Sequence, residues 1–330
     1  MTPDPPRLVL RADGGPEIGV GHLARAAAIA EMVGVDRAVA FYTRCRVPAL
    51  TTMLAAHGRV VSLDDQRELQ QEAVDLAGEL TGRETVVLDG EQFDADYQAT
   101  LRSRGCTVVC IDDRAARRFC ADLIVNHAGG VCASAYRDIG DARLCLGPRY
   151  AMVRAPFLAA ARAGGAREPN DNVFVSLGGA DPDNRMPGVL AIAFGLFLDH
   201  HFHLVVGAAN RQASSLDDLV REQRSRATVH RNLSAPDMCA LMQTCSTAIT
   251  SASTVAMEYA CVGGALYVVH TAADQARMHR GLIEGGMAWD LDRAKMEAGA
   301  RDAMLIVQRR TFDGHSDARL RDAINDVARQ

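Results

Sequence analysis

The sequence predicts an α/β protein of two domains, each built on a doubly wound parallel sheet. Its 330 residues exceed what a single hydrophobic core usually holds, roughly 250–300 residues. In both halves, candidate strands alternate with helical segments of about ten residues or more, which is the pattern of parallel βαβ units. The alternation breaks near residues 158–171, where a helix runs into a linker of Gly, Pro and Asn. We therefore expect one domain over residues 1–160 and a second over residues 161–330.

The first half begins with a buried strand, RLVLRAD, which is followed by an alanine-rich helix, GHLARAAAIAEMV. Further candidate strands follow at AVAFYT, GRVVSL, ETVVLD, CTVVCID and DLIVN. Helical patterns lie between them at VPALTTMLAAH, RELQQEAVDLAGEL and DADYQATLRSR. Strands this apolar belong to a sheet that helices cover on both faces.

The second half repeats this order. Strand NVFVSL leads into a glycine-rich loop, GGADPDN, and a helix from about Pro187, and strands FHLVV, ATVH, TAIT and ALYVV follow. Two such Rossmann-like domains are expected to face each other across a cleft. Because α/β sheets bind ligands outside the carboxyl ends of their strands, the loops after strands are where binding residues are expected.

The composition is that of an ordinary globular protein, with 48% hydrophobic and 23% charged residues. Charges interrupt every apolar run before the roughly 18 residues that a membrane span needs, and the start, MTPDPPRLVL, lacks the pattern of a signal peptide. Nine scattered cysteines without CxxC spacing indicate neither a disulfide framework nor a zinc site. We expect a cytoplasmic protein with no metal and no stable membrane association.

The charged residues exclude several functions. A net charge of −5 without a long basic run argues against a nucleic-acid partner. Lys295 is the only lysine, and its surroundings, DRAKMEAG, match neither a P-loop nor a Schiff-base site.

The loop after the first strand, ADGGPEIGVGHLAR, places His22 at the start of a helix. Gly19 and Gly21 let the backbone turn sharply and approach a ligand, and the helix start offers unpaired N–H groups. The string GVGHLA also fits a degenerate dinucleotide fingerprint. However, about six residues separate the strand end from its first glycine, whereas in that fingerprint the glycine follows the strand almost directly. His22 is either a capping or packed residue or a general base whose pKa the helix dipole lowers.

Two loops of the second half combine small or polar residues with a strand end. Gly178 and Gly179 directly follow a strand, and their loop is either a diphosphate site or a tight turn. Asp274 and Gln275 stand at a predicted helix start, where Asp is also a common N-cap.

A third loop, ITSASTVAMEYA, places Ser251, Ser253 and Thr254 before a helix and Glu258 one turn inside it. The hydroxyl groups and the first amides could bind phosphate oxygens, while the carboxylate chelates a ribose diol. Alternatively, the serines only cap the helix and Glu258 is a solvated surface residue.

The other polar clusters are expected at the surface or at strand edges. They are Asp64 with Asp65, Asp112 with Asp113, and the histidine run HHFH at 200–203.

Seven segments follow one another along the chain in a recognisable order: RADGGPEIGVGHLAR, VLDG, IDDRAARRFCADLIVN, LGPRYAMVRAPF, SLGGADPDN, ITSASTVAMEYA and ADQ. In this the chain resembles the nucleotide-sugar hydrolases of pseudaminic acid biosynthesis over most of residues 7–285. The resemblance implies a GT-B-like fold and release of UDP from UDP-2,4-diacetamido-2,4,6-trideoxy-β-L-altropyranose. It also implies no cofactor and no obligatory metal.

By this resemblance, His22 is the general base on a water that attacks the anomeric carbon, with inversion and UDP as leaving group. Asp13, at the end of the first strand, is a further candidate for orienting the His22 loop. The resemblance assigns the nucleotide to residues of the second half: the diphosphate to Gly178, Gly179, Ser253 and Thr254, and the ribose to Glu258.

The chain departs from the family at two positions that are expected to face the sugar. Glu91 stands where the family usually has Tyr, and Asp274 where it commonly has Asn. Two acidic replacements would favour a sugar with a cation or additional hydrogen-bond donors. Two other functions remain open: a glycosyltransferase that uses an acceptor hydroxyl instead of water, and a nucleotide-binding protein without catalysis.

Overall fold

The computed structural model describes two compact α/β units. The described residues are 7–15, 18–115, 117–164, 168–179, 181, 183–207, 210, 216, 220, 226–272, 275–293 and 299–328. Of these, the first unit holds residues up to Gly15, His22–Met152 and the chain from Ser316 onward, and the second holds residues 18–21 and Val153–His315.

The first unit contains a seven-stranded parallel sheet with the order β3-β2-β1-β4-β5-β6-β7. The strands are β1 (Arg7–Ala12), β2 (Ala38–Thr43), β3 (Arg59–Ser62), β4 (Thr85–Asp89), β5 (Thr107–Ile111), β6 (Leu123–Asn126) and β7 (Arg143–Leu146). The α-helices described in this unit are Gly21–Val33, Pro48–Ala55, Leu69–Glu79, Ala95–Ser103 and Ser316–Ala328. Strand β4 is buried along its whole length, as expected for a central strand covered on both faces.

The second unit contains a six-stranded parallel sheet with the order β10-β9-β8-β11-β12-β13. The strands are β8 (Asn172–Ser176), β9 (His201–Val206), β10 (Ala227–Arg231), β11 (Thr247–Ser251), β12 (Ala265–Val269) and β13 (Trp289–Asp290). The α-helices described in this unit are Ala155–Ala163, Met186–Leu196, Ala235–Thr244, Thr254–Val262, Ala276–Glu284 and Ala300–Thr311. Strands β11 and β12 are fully buried, so this sheet also has helices on both faces.

The C-terminal helix Ser316–Ala328 packs on the first sheet, against β5, β6 and β7, although the sequence prediction assigned it to the domain 161–330. Leu320, Ala323 and Ile324 form its buried stripe. Such a stripe indicates that a helix packs on a sheet, but it does not identify the sheet. The position of this helix at the end of the chain therefore led to its assignment to the wrong domain. The predicted strands of both halves are otherwise present, and β7 and β13 were not anticipated because they are short and carry charged residues.

None of the helices within the described residues is both long and apolar enough to cross a membrane.

Candidate functional site

Each sheet has one point at which the strand order reverses, and several residues selected from the sequence lie in the loops at these two points. In the first sheet β1 pairs with both β2 and β4, and in the second β8 pairs with both β9 and β11. At such a switch point the connections leave in opposite directions, which opens a crevice at the carboxyl ends of the strands. The His22 loop follows β1, and the glycine and serine loops follow β8 and β11.

His22 is ion-paired with the last residue of β4. Its Nδ1 lies 2.7 Å from Oδ1 of Asp89. The His22 side chain is 26% exposed, whereas Asp89 is 2% exposed. The imidazole is thus held on its Nδ1 side by a buried carboxylate, while part of the ring remains accessible.

Arg25, one helical turn after His22, contacts the same carboxylate. Its Nε lies 2.7 Å from Oδ2 of Asp89, and its Nη2 lies 2.5 Å from Oδ1. On the other side, Nη1 and Nη2 donate to Asp113 at 2.8 and 2.9 Å. Nη1 is also 3.4 Å from Nε2 of His127. The His22–Asp89 pair is therefore one edge of a larger charged network, which we call the Arg25 network: His22, Arg25, Asp89, Asp113 and His127.

The charges in the Arg25 network determine the protonation of its members. The Asp89 carboxylate raises the pKa of His22, and Arg25 opposes this rise. Burial alone would raise the pKa of Asp89, but the charges of Arg25 and His22 lower it below its usual range. Burial lowers the pKa of His127 to about 4, so this ring is neutral at neutral pH. The helix dipole alone led us to expect a lowered pKa for His22; the adjacent carboxylate outweighs it.

Asp13 belongs to a different cluster. Its carboxylate accepts from Arg11 (2.6 Å), from the backbone N–H of Arg44 (2.7 Å) and, at longer distance, from Thr43 and Gln92. None of these partners is His22, so the hydrogen bonds of Asp13 do not support its predicted role in orienting the His22 loop. Asp89 is the carboxylate that contacts the imidazole.

The loops after β8 and β11 meet at the switch point of the second sheet. Gly178 has a φ of +90°, and a Cβ there would lie 3.8 Å from Oγ of Ser251. A side chain on Gly207, after β9, would come within 2.5 Å of the Gly179 Cα, so these two backbones need glycine to approach each other. The loop is therefore not only a tight turn, because Gly178 lies near the loop after β11 and Gly179 packs against the backbone after β9.

Hydroxyl groups line the same end of the second sheet. The Oγ atoms of Ser251 and Ser253 are 3.0 Å apart, and neither caps the helix that begins at Thr254. Ser253 and Thr254 are partly exposed. The buried hydroxyl of Thr250, the residue before Ser251, has no hydrogen-bond partner among the described residues. Of these groups, the hydroxyls of Ser253 and Thr254 are accessible to a ligand.

Glu258 is buried and ion-paired rather than solvated. It is 2% exposed, and its two carboxylate oxygens accept from Nε and Nη2 of Arg154, both at 2.7 Å. The surface alternative for this residue was wrong. A ribose diol would have to share the carboxylate with Arg154.

Of the two residues expected to face the sugar, the structure describes Glu91, which has a charged partner. Glu91 lies 2.5 Å from Nε of Arg114, and both side chains are about half exposed. The negative charge of Glu91 is therefore balanced locally, which weakens the expectation of a cationic sugar. Gln275 accepts from the backbone and hydroxyl of Thr271. Asp274 lies outside the described residues.

The prediction that Asp112 lies at the surface or at a strand edge was wrong. Asp112 is 4% exposed, and its carboxylate accepts from the hydroxyl of Tyr136 at 2.7 Å and from the amide of Asn126 at 3.2 Å. Asp113 is partly exposed and binds Arg25. A pair of acidic residues after a strand could have signalled this, because the carboxyl ends of strands collect functional side chains.

The remaining acidic pair and the histidine run differ in their exposure to solvent. Asp64 and Asp65 are exposed as expected. His203 and His230 lie on neighbouring strands with nitrogen atoms 3.1 Å apart, and burial lowers the pKa of His203 to about 4. Across the described part of the chain, no group of three or more His, Cys, Asp or Glu side chains is arranged to hold a metal ion.

Comparisons with known proteins agree with this architecture. The chain matches no protein-family model. It is 24% identical to the spore coat polysaccharide biosynthesis protein SpsG of Bacillus subtilis (strain 168) over 286 residues, which is 85% of this chain and 82% of SpsG.

Solved structures extend the comparison to the whole fold. MurG of Acinetobacter baumannii is similar with a TM-score of 0.58 at 14% identity, over 97% of this chain and 100% of MurG. A putative UDP-N-acetylglucosamine 2-epimerase from Listeria monocytogenes is similar with a TM-score of 0.60 at 13% identity, over 97% of this chain and 96% of the other. The predicted GT-B-like class, with two parallel-sheet α/β domains, is confirmed.

Proposed function

We propose that this protein hydrolyses a nucleotide-activated sugar, most readily a UDP-sugar, with His22 as the general base. The observation that carries the proposal is the pair of a partly accessible imidazole and a buried carboxylate, 2.7 Å apart, at the switch point of the first sheet. A carboxylate on Nδ1 orients the ring and stabilises the imidazolium that forms when Nε2 accepts a proton.

The reaction follows from this arrangement. Nε2 of His22 takes a proton from a water molecule as the water oxygen bonds to the anomeric carbon. The bond between that carbon and the phosphate oxygen breaks on the opposite face, so UDP leaves with the bonding electrons and the configuration inverts. Asp89 stays ionised throughout, because Arg25 and His22 lower its pKa. The imidazolium then returns its proton to solvent.

The nucleotide would be bound by residues of the second unit. The backbone of the Gly178–Gly179 loop, which is open at Gly178 and closely packed at Gly179, and the hydroxyls of Ser253 and Thr254 are proposed to bind the diphosphate. Names of similar proteins support this substrate class: SpsG is named for polysaccharide biosynthesis, and the Listeria protein for a UDP-sugar.

A ribose contact is proposed for Glu258. Glu258→Ala is expected to weaken UDP binding about tenfold or more, because a hydrogen bond to a charged group contributes roughly 1.5–3 kcal/mol. Turnover of bound substrate should change far less, since ribose contacts are similar in the ground and transition states. Isothermal titration calorimetry with UDP, beside single-turnover kinetics, measures both effects.

Arg154→Met is the matched control for this change. It breaks the same ion pair but keeps the carboxylate of Glu258. A much smaller loss of UDP affinity in Arg154→Met supports the ribose contact. Equal losses in the two variants would make Glu258 a structural partner of Arg154 only.

The proposed reaction class is tested by release of free UDP. Purified protein is incubated with a panel of UDP-, CMP- and GDP-linked sugars, without any acceptor, in the presence and absence of EDTA. We expect UDP release that EDTA does not slow. Release that appears only when an acceptor alcohol is added would instead identify a glycosyltransferase, and UDP binding without release would identify a non-catalytic binding protein.

A further inference from the structure

Arg25 is a buried guanidinium whose protons are shared among several acceptors. A guanidinium has five N–H donors: one on Nε and two on each Nη. Nε donates to Asp89, and Nη2 donates to both Asp89 and Asp113. Nη1 donates to Asp113 and has its second proton near Nε2 of His127. Both protons of Nη2 are therefore committed to carboxylates.

This proton count decides the tautomer of His22. Nη2 of Arg25 lies only 3.1 Å from Nδ1 of His22, but it has no proton left to donate to that nitrogen. Nδ1 also faces Oδ1 of Asp89, which is an acceptor when ionised. Nδ1 must therefore carry the hydrogen, and the lone pair of a neutral His22 is on Nε2. Only this tautomer has its acceptor nitrogen turned away from Asp89.

Asp113 holds the guanidinium in this orientation from the other side. It follows β5 and accepts from both Nη atoms, so Arg25 spans two carboxylates at the carboxyl ends of the neighbouring strands β4 and β5. Without Asp113, one proton of Nη2 would be released and could be donated to Nδ1 of His22 when the imidazole moves away from Oδ1 of Asp89. The imidazole could then take the other tautomer, with a hydrogen on Nε2 and no acceptor for a water proton.

We propose that Arg25, anchored by Asp113, is a positioning residue that keeps His22 in the tautomer with hydrogen on Nδ1 and a free acceptor on Nε2. The structural part of this proposal concerns the free protein alone. Its catalytic consequence rests on the proposed hydrolysis.

The charges that face His22 make two substitutions shift its pKa in opposite directions. Asp89 and Asp113 raise the pKa of the imidazole, and Arg25 lowers it. Arg25→Gln should therefore raise the pKa of His22, because one cation is lost. Asp113→Asn should lower that pKa, because one anion is lost. These shifts report the charges that face His22, whereas the tautomer itself reports the positioning role.

The test reads His22 directly. The protein contains ten histidines, so the ¹⁵N-histidine spectrum is assigned by its change in His22→Gln. Long-range ¹H–¹⁵N correlation spectra then report, as a function of pH, the pKa of His22 and which nitrogen carries the proton. The variants are Arg25→Gln, Arg25→Lys and Asp113→Asn, with folding verified by circular dichroism.

Arg11→Lys serves as the control. Arg11 is also buried in the same unit and is also held by two carboxylates, Asp13 and Glu72, and none of its hydrogen bonds among the described residues involves His22. We expect its His22 spectrum to match that of the unaltered protein.

In the unaltered protein, neutral His22 should carry its hydrogen on Nδ1. In Asp113→Asn and Arg25→Lys, His22 should be a mixture of the two tautomers. If Arg25→Gln does not fold, the latter two variants still decide the result. Unchanged His22 tautomers in both would overturn the proposal. At pH values below the pKa of His22, Arg25→Gln should also lower kcat/KM by about tenfold for each unit by which that pKa rises, with recovery at higher pH. If the unaltered protein released no UDP, the proposed function would fail while the tautomer result stood.

Discussion

Replacing His22 by alanine is expected to lower turnover by about 10²–10⁴-fold, which is the usual loss when a general base is removed. The affinity for UDP should change little, because the residues proposed to bind the nucleotide belong to the second unit. Initial rates of UDP release, measured beside calorimetric titration with UDP, test both parts.

His57→Ala is a matched control for this substitution. The His57 side chain is also 26% exposed and is near a carboxylate, with Nε2 3.6 Å from Glu31, but it does not belong to the Arg25 network. It should keep the parental rate. A His22→Ala variant that also retained this rate would show that His22 only packs and caps its helix.

Glu72→Ala is expected to lower the free energy of unfolding by about 3–5 kcal/mol, the cost of breaking a buried ion pair on one side. Glu72 accepts from the fully buried Arg11 at 2.8 and 3.2 Å, from Arg44 and from the hydroxyl of Tyr97. Its loss leaves the Arg11 charge with Asp13 as its remaining carboxylate partner. Urea unfolding followed by circular dichroism measures the change.

The same helix provides the control. Asp75 is ion-paired with Arg67, but both side chains are nearly half exposed. Solvent screens such a pair, so Asp75→Ala should change stability far less than Glu72→Ala. Similar losses in the two variants would show that burial does not govern the strength of these ion pairs.

Much of the fold could be predicted because central parallel strands are apolar and end abruptly at loops. Strand β12 was predicted with its observed limits, and the loops at His22, Gly178 and Ser251 were selected for following strands. What could not be predicted was which strands are neighbours. The sheet order brings β1 beside β4, and only this brings Asp89 to His22 across 67 residues of sequence.

The same limitation explains the errors at charged residues. Arg25 reads in sequence as one polar position of an alanine-rich helix, and Asp113 as a surface acid. Their ion pair spans 88 residues, so no local pattern indicates it. Glu258 was selected for its place one turn inside a helix, but its partner Arg154 lies 104 residues away. Local spacing identified these side chains without identifying what they contact.

The central claim is that water, activated by His22, attacks the anomeric carbon. It is tested most directly by a short single-turnover reaction in H₂¹⁸O with an accepted UDP-sugar, after which both products are analysed by mass spectrometry. Fresh product, trapped before exchange at the anomeric hydroxyl, should carry ¹⁸O in the sugar and none in UDP, and ¹H NMR should show inverted configuration. Label in UDP instead of the sugar would place the attack at phosphorus and contradict the account.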